Sequence, residues 1–130
     1  MKNFKHINNF TIKNDKLRFT RNWKYGERRE GLKAIYALRL NGKTIKIGMS
    51  INFFRRMDDY KFQIGHACAH LTPALINLIK QNNCNIELWC REYDFEKELE
   101  LNGETIRFIP DLFERERYFK NKYSDTIIFD

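Results

Sequence analysis

Four side chains near the middle of this chain have the types and spacing to act on a phosphodiester. Tyr36 closes the tripeptide Ala34-Ile35-Tyr36, and Lys46 opens Lys46-Ile47-Gly48 ten residues on. Arg56 follows Gly48 by eight residues, and Tyr60 follows Arg56 by four. Phosphodiester hydrolysis needs an activated water, a group that stabilises negative charge in the transition state, and a neutralised leaving oxygen. A guanidinium suits the second task because it offers two parallel donors to phosphate oxygens and stays protonated. A tyrosine hydroxyl can orient or deprotonate the water. A lysine binds phosphate, or serves as the base if burial and a neighbouring cation favour its neutral amine. Arg55 is the alternative to Arg56 if the register is off by one, and otherwise a solvated helix residue. For Tyr36 and Tyr60 the plain alternative is core packing with an exposed hydroxyl.

The surrounding residues predict the elements that hold these groups. Ile35–Leu40 and Thr44–Ile47 are rich in apolar and β-favouring residues and flank Asn41-Gly42, a strong hairpin signal. Ser50–Gln63 then reads as a helix, with Ser50 as N-cap and Ile51, Phe54, Met57 and Phe62 near helical spacing. Ile64–Ala69 reads as a loop. A second helix is expected over Leu71–Gln81, capped by Thr72 with Pro73 in its first turn, and Asn82-Asn83 ends it. Asn85–Phe95 alternates as a half-buried strand, and Glu98–Leu101 and Thr105–Phe108 flank a second hairpin signal, Asn102-Gly103. Pro110 and Asp111 open a last helix, Leu112–Tyr123, and Thr126–Phe129 suggests a short terminal strand. The order predicts an α+β domain, a small antiparallel or mixed sheet flanked by helices.

Taken together, the two tripeptides, Arg56, Tyr60 and Asn52 (four residues after Gly48) resemble the GIY-YIG nuclease superfamily. Ala34 stands where that pattern has its first glycine, and Lys46 where it has its second tyrosine; some members carry lysine there. The resemblance implies a divalent-metal-dependent endonuclease hydrolysing DNA. It implies that Arg56 stabilises charge and that Tyr60 hydrogen-bonds the scissile phosphate. It also requires a metal-binding glutamate on a late helix, turned toward the sheet. At 100° per residue, Leu112, Phe119 and Tyr123 share an arc that includes Glu116, while Glu114 points the other way. Glu116 is therefore the expected ligand of one Mg²⁺, with Mn²⁺ as a substitute. Its plain alternative is an ion pair with Arg115, Arg117 or another cation. The Glu98–Phe108 hairpin reads as an insertion between Arg56 and Glu116. Its acidic residues argue against direct phosphate contact. Asn121, five residues past Glu116, matches the superfamily's later asparagine poorly.

Composition bounds the reading. A chain of 130 residues with 42% hydrophobic and 15% aromatic residues suits one folded domain. No run is long and apolar enough for a membrane span, and the polar N-terminus does not resemble a signal peptide. Three unpaired cysteines, Cys68, Cys84 and Cys90, fit a reducing, cytoplasmic setting. Residues 1–33 hold ten Lys/Arg against three acidic residues, which is the whole net charge of +7; residues 34–130 balance at fourteen of each. Phe4, Phe10, Phe19, Trp23 and Tyr25 are interleaved with that charge. The chain thus divides into a basic aromatic extension (1–32) and a nuclease-like domain (33–130). The extension either contacts nucleic acid, through phosphate neutralisation and base stacking, or anchors to the core by its aromatics. Competing readings are a non-catalytic basic nucleic-acid-binding module, a protein–protein adaptor, and a zinc site among His66, Cys68, His70, Cys84 and Cys90 that lacks any Cys-x₂-Cys pair.

Overall fold

Three two-residue turns fold the β-rich segments of the chain back on themselves. Asn14 and Asp15 (φ 53° and 60°), Asn41 and Gly42 (51° and 75°), and Asn102 and Gly103 (54° and 77°) all take the positive φ of tight hairpin turns. They join β1 (Lys5–Lys13) to β2 (Lys16–Phe19), β3 (Ala34–Leu40) to β4 (Lys43–Ser50), and β6 (Lys97–Leu101) to β7 (Glu104–Phe108). The remaining elements are α1 (Phe53–Phe62), α2 (His66–Asn82), β5 (Ile86–Glu92) and α3 (Leu112–Lys122). The computed structural model describes residues 1–24, 26–93, 97–108 and 112–129.

The main sheet has five antiparallel strands in the order β2-β1-β5-β3-β4, and β6 and β7 form a separate ribbon. One face carries Phe10, Tyr36, Leu38, Leu88 and Cys90 against Phe53, Met57, Tyr60 and Leu75 of α1 and α2. The other carries Phe4, Ile35, Ala37 and Ile47 against Leu112 and Phe119 of α3. Side chains alternate between the two faces along each strand, and β3 and β4 are buried at nearly every position, so both faces of the sheet are covered there. The result is a single α+β domain, as the order of predicted elements implied.

The N-terminal segment departs from its expected description as an extension. Residues 5–19 form two strands of the main sheet, with β1 interior between β2 and β5. Phe4 and Phe10 are buried, while Phe19 and Trp23 pack against the core. A bulge between His6 and Asn8 breaks the alternation of β1, which masks its strand period in the sequence. Asn14-Asp15 was the available turn signal. Placement of Tyr25 lies outside the described residues.

The helix limits also shift. α1 begins at Phe53, not near Ser50, because Ser50 still belongs to β4, paired with Ala34. Ser50 Oγ accepts a hydrogen bond from the Asn52 amide (3.0 Å) and so shapes the strand-to-helix corner rather than capping the helix. Ile51 and Phe62, expected on the apolar face, are exposed. α2 starts at His66, so the expected loop 64–69 is largely helix and Pro73 lies inside it. Thr72, expected as a cap, is buried, and its hydroxyl donates to the Tyr60 carbonyl (2.8 Å). Asn83 ends α2 in the left-handed conformation (φ 49°). The terminal strand reduces to a parallel bridge between Phe129 and Lys46. Pro110, Asp111 and Phe95 lie outside the described residues.

Candidate active site

A cleft of about 580 Å³ opens at the β4 edge of the sheet, and Tyr36, Lys46, Arg56, Tyr60 and Glu116 all line it. Lys46 and Gly48 come from β4, Arg56 and Tyr60 from α1 on one face of the sheet, and Glu116 from α3 on the other. Only an edge strand allows this, because groups from opposite faces can meet only around a free edge. The terminal segment covers part of that edge, with the Ile128 amide donating to the Ile45 carbonyl (3.0 Å). Ile47, Gly48 and Met49 beside it line the cleft.

Tyr36 sits one strand in from the edge, and its glycine partner explains how it reaches the cleft. Tyr36 pairs directly with Gly48 across β3 and β4. A Cβ at Gly48 would lie 2.8 Å from Tyr36 Cε1 and closer still to Cζ and the hydroxyl. Any side chain there would expel the ring. The glycine of Lys46-Ile47-Gly48 therefore serves close approach rather than backbone freedom.

The Tyr36 hydroxyl meets that of Tyr60 at 2.7 Å, with the rings edge to face. Tyr36 and Tyr60 are 3% and 1% exposed, so each hydroxyl is engaged mainly by the other. Arg56 is half-buried one turn before Tyr60. Arg55 is exposed and faces a different hollow, shared with Arg28, Asn52 and Asp58. Lys46 is 7% exposed. On α3, Glu114 is exposed, whereas the Glu116 side chain is 18% exposed and pairs with Lys120 at 3.3 Å. Leu112 and Phe119 are buried as the helical wheel implied, but Phe113 is exposed.

Burial sets the charge state of the two tyrosines. It pushes Tyr36 up to about 12, opposed by the Tyr60 hydrogen bond and the Arg56 charge. Burial and then Tyr36 itself push Tyr60 well above its ordinary value. Both phenols are therefore neutral near pH 7. Because folding raises these values, stability is fully present below pH ~10, the unfolded tyrosine value, and falls as pH rises through the folded ones. For Tyr36 the loss amounts to roughly 2–3 kcal/mol by pH 12. Ultraviolet titration should show Tyr36 and Tyr60 ionising at higher pH than an ordinary phenol, and Tyr36→Phe should soften the alkaline loss of stability. Two extra phenolates appearing near pH 10 in folded protein would contradict this burial.

The donor set bears on which cation the cleft can hold. Among the described residues no group of three or more His, Cys, Asp or Glu side chains converges. Cys84 instead contacts the Asn41 side chain, and Cys90 is buried in β5, so the five candidate zinc ligands do not assemble. Among the described residues Glu116 is the one carboxylate in the cleft lining, beside Lys46, Arg56 and Lys120. A Mg²⁺ ion held there would use a single protein carboxylate, keep most of its waters and have to offset three nearby positive charges.

The cleft also contains residues whose sequence positions did not connect them with Tyr36 and Arg56. Cys68 and His70, read only as zinc candidates, and Leu71, read as the start of a helix, come from the first turns of α2, which begins at His66 rather than Leu71. The spacing of Cys68, Thr72, Leu75 and Ile79 was the missed helical signal. Cys68 packs against Arg56, and burial raises its thiol above the ordinary value despite that guanidinium. Lys120 was visible only as an i,i+4 partner of Glu116.

No family model and no curated protein sequence matches this chain. Among solved structures its fold is similar to that of restriction endonuclease HPY188I in complex with product DNA. That likeness has a TM-score of 0.51 at 16% identity, over 98% of this chain and 79% of that one. It is also similar to a point mutant of bacteriophage T4 EndoII, with a TM-score of 0.63 at 15% identity over 93% and 88% of the two chains. The chain thus shares its fold with two nucleases.

Proposed function

We propose that this protein is a divalent-metal-dependent endonuclease that hydrolyses DNA by a GIY-YIG-type mechanism. The observation that carries this reading is the convergence of Tyr36, Lys46, Arg56, Tyr60 and Glu116, from four elements and both sheet faces, on one cleft. The fold shared with an endonuclease held in complex with product DNA supports DNA as the substrate. Arg56 stabilises the negative charge of the transition state. Tyr36 orients the attacking water, and Tyr60 positions Tyr36 through the 2.7 Å hydrogen bond. Lys46, which lines the same cleft, is then the candidate to receive the proton. Glu116 would hold Mg²⁺, which when bound neutralises charge on the phosphate and the leaving oxygen.

Nicking of supercoiled plasmid by purified protein, with and without Mg²⁺, tests the function. Lys46→Met should lower the rate sharply and alter the pH–rate profile that Tyr36→Phe leaves in place. Absence of Mg²⁺-dependent nicking would return the chain to the class of binding modules, and a wild-type profile in Lys46→Met would remove lysine from the chemistry.

A further inference from the structure

We infer that Lys120 is a placeholder for the cation on Glu116 in the free protein, and a phosphate ligand once cation and nucleic acid are bound. This rests on the metal-dependent reading above. Lys120 Nζ lies 3.3 Å from Glu116 Oε1, one turn along α3, with the two side chains 31% and 18% exposed. Both line the cleft together with Lys46 and Arg56, so one carboxylate faces three cations.

A largely buried carboxylate is costly without a counter-charge, and Lys120 supplies one. A divalent ion at the same oxygens would bring two positive groups into contact, so the ammonium must leave. Lysine suits that movement, being a compact charge on a flexible four-carbon stem. Lys46 and Arg56 line the same cleft, so a nucleic-acid phosphate bound between them would be the anion that the displaced ammonium meets. Cation and nucleic acid then favour each other, because the cation releases Lys120 toward phosphate and phosphate draws it from Glu116. The cations Arg115 and Arg117 on the same helix are exposed and do not line the cleft.

Mn²⁺ affinity, measured without nucleic acid from the free-ion resonance signal, tests the first half. Lys120→Met should bind Mn²⁺ more tightly by roughly two- to five-fold, the scale of a partly exposed ion pair. Lys120→Arg, which keeps the charge, should stay near wild type. Duplex binding against salt tests the second half. With Ca²⁺ present, Lys120→Met should flatten the slope of log K on log salt by about 0.9, and with chelator it should not change it. If Glu116→Gln abolishes Mn²⁺ binding but Lys120→Met binds as wild type does, Lys120 is no placeholder and the metal reading survives. If Glu116→Gln binds as wild type does, the metal site and this inference fall together. An unchanged slope in Ca²⁺ overturns the phosphate role.

Discussion

Arg56→Ala should abolish cleavage, by about 10²–10³ in rate, while Arg55→Ala cleaves nearly as wild type. Their positions in α1 differ by one residue, but their surroundings differ in kind. Arg56 is half-buried and lines the cleft with Tyr36 and Lys46, whereas Arg55 is exposed on another face of the helix. The loss falls on chemistry because the guanidinium meets charge that appears only in the transition state. Duplex affinity should drop only by the share of one phosphate contact, which flattens the salt slope by about 0.9. Thermal unfolding of both variants should stay near wild type. A dead Arg55→Ala beside an active Arg56→Ala would mean that the other hollow holds the reaction.

Glu116→Gln should be as severe and should also remove the response to Mg²⁺, because a neutral amide cannot match the carboxylate's hold on a hard cation. Glu114→Gln should be silent, since Glu114 is exposed while Glu116 lines the cleft. The pair makes a close control, two glutamates two residues apart with the same isosteric change. Rates at increasing Mg²⁺ separate weakened binding from lost chemistry, because a variant restored by saturating ion has lost only affinity. Equal rates for the two variants at saturating Mg²⁺ would detach Glu116 from the reaction.

What could be read from the sequence was whatever depends on near neighbours along the chain. Asn41-Gly42 announced the β3–β4 hairpin, and the pairing of Tyr36 with Gly48 follows from its register. The helical wheel separated Glu116 from Glu114, and the α+β order followed from the period changes. Local pattern failed where tertiary contacts overrode it. The bulge in β1 broke the period that would have shown a strand, and Asn8 is buried there because its side chain bonds Arg21 and Thr20. Pro73 suggested a helix start, yet α2 runs through it, anchored by Thr72 on the Tyr60 carbonyl. The charge of residues 1–33 was legible, but its split between ion pairs and free surface was not. Arg21 pairs with Glu27, Arg28 with Asp58 and Arg29 with Glu92, the last across 63 positions. Sequence spacing could nominate Tyr36, Lys46, Arg56, Tyr60 and Glu116. Only the fold could bring them to one edge, because β4 is outermost through its place in a five-strand order that also depends on β1 and β5. The ionisation of Tyr36 was likewise a tertiary matter, since it depends on burial between two layers and on a second tyrosine from another element.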